Sequence, residues 1–148
     1  MDEKDRAILS MLERDARATY ADIAEEVGLS PSSVHERVKK LERRGVIVGY
    51  RAELDPKALG LDVTALVSVM PLDPKEPDDL PDRVRGFGEV EDCWSVAGQE
   101  SYVLKVRTAT TEHLEELLRR LREKARVQTR TTVVLSTPFE GRPIAEAP

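Results

Sequence analysis

Apolar residues repeat every three or four positions in three short runs at the start of the chain. The runs are Ile8, Leu9 and Leu12, then Ile23, Ala24 and Val27, then Val34, Val38 and Leu41. This spacing places the apolar side chains on one face of an α-helix. The pattern therefore predicts three amphipathic helices that bury these faces against one another.

Each predicted helix is preceded by a residue that can cap its N-terminus. Asp2, Thr19 and Ser30 have side-chain oxygens that can accept a hydrogen bond from the first turn. Asp5 and Asp22 stand three positions after the first two caps, where an acidic side chain completes a capping box. These signals place the start of each helix.

A tight turn separates the second and third predicted helices. Gly28 ends the second helix, because glycine adopts the left-handed conformation at no steric cost. Pro31 suits the first helical position after Ser30, and Gly45 closes the third helix. Two helices joined in this way form a helix-turn-helix unit, whose second helix enters the major groove of DNA by its N-terminal end.

Positive charge is concentrated on the third predicted helix. The formal net charge of the chain is -5, yet residues 31–44 hold five basic and two acidic residues, a local charge of +3 that leaves -8 elsewhere. Local positive charge is what phosphate neutralisation requires. We predict DNA contacts from Ser30, Ser32, Ser33, His35, Glu36, Arg37, Lys39, Lys40 and Arg43.

Three alternatives to these DNA contacts remain open. Charge runs are usually solvated, so the helices could form a plain bundle, although capping, turn and charge together favour DNA binding. His35 could contact a base or lie on the solvent side of its helix, and the sequence favours neither. Arg37 could be structural, in which case its loss would lower stability.

The remaining two thirds of the chain predict a sheet covered by helices. Strand-like alternation over 46–54 is followed by turn-forming residues over 55–60. The later pattern then predicts strand 61–70, helix 79–86, strands 90–98 and 101–108, helix 110–125 and strand 127–136. This order is the ferredoxin-like βαββαβ arrangement of the α+β class, with two helices on one face of a four-stranded antiparallel sheet.

The second face of this sheet is predicted to be covered by another subunit. The strand 61–70 is apolar at most positions on both faces, whereas the predicted helices cover only one. An identical subunit packed sheet to sheet is the simplest cover. Trp94 would fill that interface, and Cys93 is predicted to be a buried, inert thiol.

The sequence offers no sign of an enzyme, a metal site or a membrane span. One cysteine and two distant histidines give no metal-ligand spacing, and no phosphate loop, dinucleotide-binding pattern or nucleophile motif occurs. No apolar run approaches the ~20 residues that span a bilayer. The N-terminus is acidic where a signal peptide is basic. We therefore expect a cytoplasmic protein without enzymatic activity or cofactor.

Two stretches of the chain together resemble the Lrp/AsnC family, the feast/famine regulators of bacteria and archaea. They are "DRAILSMLERDARATYADIAEEVGLSPSSVHERVKKLERRGVIVGYRAELDPKALGL" and "VEDCWSVAGQESYVLKVR". The resemblance runs from Asp2 to about Pro138, and its two parts together are highly specific. The long proline-rich segment 71–79 resembles an actinobacterial branch of the family.

The resemblance implies a transcriptional regulator that senses a small molecule. It implies a homodimer with paired sheets, association into octamers or similar assemblies, and an effector, commonly an amino acid, bound near the loop after "VAG". Gly98 and Tyr102 match the glycine and the aromatic residue of the family's loop. The implied effector site comprises Ala97, Gly98, Gln99, Glu100, Ser101 and Tyr102.

This loop departs from the family pattern in its acidic residue. Family members commonly carry acids at the positions of Gln99 and Ser101, whereas this chain has Glu100. We expect Glu100 to accept the ammonium of an amino acid and backbone N–H groups to bind its carboxylate. Gly98 is expected to allow a tight backbone shape that a side chain would obstruct. A plain hairpin turn is the alternative.

We predict three parts: a helix-turn-helix DNA-binding domain over 1–47, a connecting strand and linker over 48–62, and a ferredoxin-like sensing and oligomerisation domain over 63–148. The predicted function is effector-responsive transcription regulation of amino-acid-related metabolism through double-stranded DNA. The alternative is an amino-acid-sensing or scaffold module whose N-terminal helices contact another protein.

Overall fold

The computed structural model describes residues 1–73, 75 and 78–145. The described residues divide into two compact units, one formed by 1–53 with 139–145 and the other by 54–138. Parts of the proline-rich segment 71–79 and the end of the predicted domain 63–148 lie outside the described residues.

The first unit contains the three predicted helices. They are α1 (Glu3–Arg14), α2 (Tyr20–Val27) and α3 (Pro31–Arg43). Asp2 and Asp5 form both hydrogen bonds of a capping box, and Thr19 and Ser30 accept hydrogen bonds from the first turns of α2 and α3. The caps therefore set the start of each helix as the sequence predicted.

The buried faces of these helices form one hydrophobic core. Its members are the apolar residues at helical spacing: Ile8, Leu12, Ile23, Ala24, Val27, Val34 and Val38. Leu9 is only partly buried, because it stands at the edge of the apolar stripe. The prediction of a helix-turn-helix unit is confirmed.

The predicted strand over 46–54 is wrong. The structure describes all of residues 44–62 and contains no strand there. The N–H groups of Val46 and Ile47 instead donate to the Leu41 carbonyl, and Val48 is 94% exposed. Alternation alone does not make a strand, since its N–H and C=O groups need a neighbouring strand. No strand within the described part of the chain pairs with this segment.

The second unit has the predicted ferredoxin-like fold. Its elements are β1 (Val63–Pro71), α4 (Leu80–Val84), β2 (Val90–Ser95), β3 (Tyr102–Thr108), α5 (Thr111–Lys124) and β4 (Val127–Val133). All neighbouring strands are antiparallel, in the order β2-β3-β1-β4. This is the βαββαβ topology that the sequence predicted.

One face of the sheet packs against the two helices. Ala65, Val67 and Val69 of β1 are fully buried, and their partners on β3 are Val106, Leu104 and Tyr102. Apolar residues of α4 and α5 complete this core: Leu80, Val84, Leu114, Leu117 and Leu121. Because side chains alternate along a strand, the intervening residues lie on the opposite face, called the open face below.

The open face is less apolar than predicted. Leu66 and Met70 of β1 and Trp94 of β2 are apolar there, with Trp94 44% exposed. Charged residues share this face: Glu91 accepts a hydrogen bond from Arg107 Nε at 2.6 Å and lies 3.4 Å from Lys105 Nζ. Burial alone would raise the pKa of Glu91, but Arg107 and Lys105 hold it below its usual value. The face is therefore a mixture of apolar side chains and ion pairs.

Cys93 is exposed, contrary to the prediction of a buried thiol. It lies on β2, which is an edge strand of the sheet. Side chains of an edge strand have neighbours on only one side along the sheet. The prediction failed because strand order is not visible in the local sequence.

Gly28 should be sensitive to substitution by alanine because of its backbone conformation. Its φ of +66° caps α2 in the left-handed conformation. Gly28→Ala should lower the free energy of unfolding by about 1 kcal/mol, because a Cβ disfavours this conformation. Gly49→Ala is the control, since Gly49 has no left-handed φ and open space around it. Urea unfolding followed by circular dichroism measures both, and equal effects would contradict the assignment.

Candidate nucleic-acid interface and ligand site

The start of α3 presents a cluster of exposed hydroxyl groups. Ser30 Oγ lies 3.0 Å from Ser32 Oγ and 2.8 Å from Ser33 Oγ, and it accepts the N–H of Ser33 at 3.2 Å. All three serines are exposed. The first turn of a helix carries unpaired N–H groups and the positive end of the helix dipole. This end of α3 can therefore contact phosphate oxygens or base edges.

The exposed side of α3 carries charge along its length. Glu36, Lys39, Lys40 and Arg43 are all exposed, while Val34 and its apolar neighbours face the core. The helix thus offers hydroxyls at its start and cations toward its end. That distribution suits a helix held in a groove between two phosphate backbones.

Arg37 binds the start of α1. Its Nη1 donates to Asp2 Oδ2 and to Asp5 Oδ1, both at 2.7 Å. The hydrogen bond from Arg37 lowers the pKa of Asp2 below its usual 3.8, and the two carboxylates raise the pKa of Arg37. Among the predicted DNA contacts, Arg37 is therefore the one that joins α3 to α1.

His35 packs against α2. Its ring lies 5.3 Å from the ring of Tyr20, centroid to centroid, and the side chain is partly buried. Tyr20 is the first residue of α2. His35 therefore helps to hold the two helices together while part of its ring still reaches the surface.

The predicted effector loop is longer than the sequence suggested. It runs over 96–101, between the end of β2 and the start of β3. Val96 N–H donates to the Ser101 carbonyl and Ser101 N–H to the Val69 carbonyl, both at 3.2 Å. Within the described part of the chain, the N–H groups of residues 97–100 donate to no other group. These donors remain available to a ligand.

The expectation that the loop backbone needs glycine at position 98 is wrong. Gly98 does not adopt a left-handed φ, and a Cβ there would lie 3.5 Å from Glu100 Oε2, an ordinary contact. The loop has six residues rather than the two left between the predicted strands, and at position 98 its backbone conformation is open to any residue. Because Gly98 has no side chain, there is space beside the Glu100 carboxylate.

Glu100 forms an ion pair with Arg130 of β4. The Glu100 side chain is 17% exposed and that of Arg130 69% exposed. Arg130 stands opposite Ser68 of β1, on the open face of the sheet. Sequence reasoning missed Arg130, because only the pairing of β1 with both β3 and β4 brings it to the loop.

Tyr102 lies opposite Val69, on the face of the sheet that the helices cover, whereas Arg130 lies on the open face. Its hydroxyl donates to Asp78 Oδ1 at 2.8 Å, and this hydrogen bond together with burial raises the pKa of Tyr102. A cleft of ≈ 470 Å³ lies here, lined by Met70, Pro71, Asp78, Ser95, Val96, Ser101 and Tyr102. The six predicted effector residues therefore divide: Ser101 and Tyr102 line this cleft, whereas Ala97, Gly98, Gln99 and Glu100 do not.

Other kinds of site have no support in the described residues. No group of histidine, cysteine, aspartate and glutamate side chains there could hold a metal ion. No helix there has both the length and the apolar character of a membrane span.

Two family models cover most of the chain. A winged helix-turn-helix DNA-binding model matches residues 1–48, and the Lrp/AsnC ligand-binding domain matches residues 63–144. This chain belongs to the Lrp/AsnC family. It is 48% identical over 142 residues to the HTH-type transcriptional regulator LrpA of Mycobacterium tuberculosis, covering 96% of this chain and 95% of the relative. This Lrp/AsnC protein is thus a DNA-binding transcriptional regulator, and its relatives are regulators rather than enzymes.

Solved structures of the family agree with the fold. A feast or famine regulatory protein from M. tuberculosis, complexed with L-methionine, superposes with a TM-score of 0.93 at 48% identity, covering 96% of this chain and 97% of that one. A transcriptional regulator from Neisseria meningitidis in complex with L-Met gives a TM-score of 0.88 at 29% identity, with 95% and 93% covered.

The contact between Arg37 and Asp2 should make this regulator more stable above the titration range of Asp2. The folded-state pKa of Asp2 is lowered, so its contribution is present above the usual value of 3.8 and is lost as pH falls through the lower folded value. Asp2→Asn keeps a good helix cap and removes the charge. Urea unfolding should find the variant less stable than the wild type at pH 7, with a difference that shrinks as pH falls through the titration of Asp2. A difference that persists unchanged at low pH would contradict this origin.

Proposed function

We propose that this chain is a homodimeric, sequence-specific regulator of genes of amino-acid metabolism, acting in the cytoplasm and responding to a free amino acid. The proposal assigns DNA binding to residues 1–47, a connecting segment to 48–62, and sensing and oligomerisation to 63–148. The observation that carries it is the exposed start of α3, with its hydroxyls and cations, in a chain whose second unit has the family's ligand-binding fold.

The proposed DNA contacts differ in role. Ser30, Ser32, Ser33 and Glu36 stand near the start of α3, where side chains reach base edges or the nearest phosphates. Lys39, Lys40 and Arg43 would neutralise phosphates farther along the groove. Arg37 and His35 would act chiefly by holding α3 against α1 and α2, since both already have partners there.

The proposed effector is an α-amino acid. The two solved family structures with L-methionine bound support this chemistry. In this chain the support comes from the N–H groups of residues 97–100, which donate to no other group of the described residues, and from the neighbouring carboxylate of Glu100. An amino acid presents one cation and one anion, so it needs acceptors and donors close together.

The proposed homodimer packs two open faces together, and dimers associate further into octamers or similar assemblies. Trp94 stands directly opposite Val103 and Val103 opposite Ser68, so a band of side chains crosses β2, β3 and β1. With Leu66 and Met70, this band supplies the apolar part of an interface. A dimer would present two α3 helices to DNA half-sites spaced about 10 bp apart or a multiple of that.

Removing the cations of α3 should weaken binding to every DNA sequence. The triple variant Lys39→Ala, Lys40→Ala and Arg43→Ala should lower the salt slope of log K by about 0.9 for each phosphate that the protein no longer neutralises. Fluorescence anisotropy on a duplex selected by the wild type from a random pool, at several salt concentrations, measures this slope.

The control removes the same charge from α5. It carries Arg119→Ala, Arg122→Ala and Lys124→Ala, all at exposed positions. This variant should bind DNA like the wild type. If the α3 variant keeps wild-type affinity at physiological salt, the proposed DNA-binding surface is wrong.

Placing a charge at Trp94, on the open face, should dissociate the dimer. Trp94→Asp would bury an unpaired carboxylate in the interface, yet Trp94 is 44% exposed in one chain, so folding should survive. Sedimentation velocity at micromolar concentration should show a dimer or larger species for the wild type and a monomer for the variant. Leu59→Asp, at an exposed leucine of the linker, is the control. A monomeric wild type would refute the assembly.

A further inference from the structure

The Glu100–Arg130 ion pair brings a carboxylate and a guanidinium to the same point of the effector loop. The carboxylate is mostly shielded and lies beside Gly98, whereas the guanidinium is mostly exposed on the open face of the sheet. Each group is the natural partner of one end of a zwitterion: a carboxylate binds an ammonium, and a guanidinium binds a carboxylate with two parallel hydrogen bonds.

We propose that the effector amino acid opens this pair and inserts into it. Glu100 accepts the α-ammonium, and Arg130 donates to the α-carboxylate. Arg130 thereby becomes a recognition residue of the regulator. This inference rests on the proposed response to an amino acid, and it replaces backbone amides by Arg130 as the main partner of the carboxylate.

This exchange increases the number of ion pairs, and opening the Glu100–Arg130 pair costs little free energy. One ion pair is broken and two are formed, so no charge is left without a partner. The Arg130 side chain is 69% exposed, so water screens the pair from one side, and holding two long side chains in one geometry further limits what the pair contributes to stability. Arg130 lies on β4, an edge strand of the sheet, and its flexible stem can turn the guanidinium away from Glu100 while Glu100 stays in place.

The space next to Glu100 is compatible with a ligand. A Cβ at position 98 would lie 3.5 Å from Glu100 Oε2, so the missing side chain leaves room beside the acceptor. The N–H groups of residues 97–100, which have no partner in the described part of the chain, line the same loop. They can add hydrogen bonds to the carboxylate once Arg130 has turned to it.

The nearby cleft is a weaker site for a zwitterion. Its described lining offers the Asp78 carboxylate, already bonded to the Tyr102 hydroxyl, and no basic side chain. It could hold an ammonium but offers no cation to the carboxylate. Of these two places, the Glu100–Arg130 pair is the one that combines both charges beside the loop.

The test distinguishes recognition of the ligand's ammonium from recognition of its carboxylate. Isothermal titration of the full chain with each of the twenty amino acids identifies the tightest binder. That amino acid is then compared with its decarboxylated amine and with its N-acetyl derivative. The variants are Arg130→Gln, Arg130→Lys and Glu100→Gln. Arg119→Gln is the control, because it also breaks exposed arginine–glutamate pairs, on α5.

Each variant should weaken recognition of only one charged group of the amino acid. Arg130→Gln should weaken the amino acid about 10- to 100-fold, the usual effect of removing a charge-assisted hydrogen bond, and should not weaken the amine, which no longer competes with Arg130 for Glu100. The affinity of Arg130→Lys for the amino acid should lie between those of Arg130→Gln and the wild type. Glu100→Gln should weaken both the amino acid and the amine, and should not weaken the N-acetyl derivative, whose carboxylate no longer competes with Glu100 for Arg130. Arg119→Gln should bind like the wild type.

Several results would overturn the inference. Arg130→Gln binding the amino acid within twofold of the wild type would remove Arg130 from recognition. An equal weakening of amino acid and amine, or an unliganded melting temperature that falls by many degrees, would make Arg130 a structural residue instead. A wild type that binds none of the twenty amino acids would refute the effector part of the proposed function itself, while the salt-slope measurement would still test DNA binding alone.

Discussion

The sensing unit depends on the position of β1 at the centre of its sheet. β1 bonds to β3 on one side and to β4 on the other, and its alternate residues Ala65, Val67 and Val69 are buried under the helices. A shift of one residue would turn these side chains to the open face, so burial holds the register firmly. That register places Arg130 opposite Ser68 and ties the effector loop to the Val69 carbonyl. Two segments far apart in the sequence thus become neighbours.

The DNA-binding unit depends on a different constraint, which is the mutual support of helix starts. Asp5 completes the cap of α1 with Asp2, and both carboxylates also hold Arg37 of α3. The cap of one helix is therefore the anchor of another. Together with the contact of His35 and Tyr20, this holds α3 against α1 and α2 while its start stays exposed. Such placement is what sequence reading by a helix requires, because base contacts tolerate little displacement.

The open face combines two kinds of side chain with different roles. Trp94, Leu66 and Met70 provide apolar area, and Glu91, Lys105 and Arg107 form a network of ion pairs. Apolar area drives association without direction, whereas charged groups favour one alignment and penalise others. A face built in this way suits a specific partner with a matching pattern. A second copy of the chain supplies such a partner through the symmetry of a dimer.

The sequence by itself determined the local structure of this protein. Helix starts at Asp2, Thr19 and Ser30, the turn at Gly28 and the order of strands and helices follow from capping, backbone conformation and periodicity, which act over a few residues. Tertiary structure alone decided the partners of charged and edge residues. It paired Glu100 with Arg130 and Arg37 with Asp2, exposed Cys93, and gave 46–54 no neighbouring strand among the residues that the structure describes. These outcomes depend on which distant segments become neighbours, and no local pattern of residues encodes that.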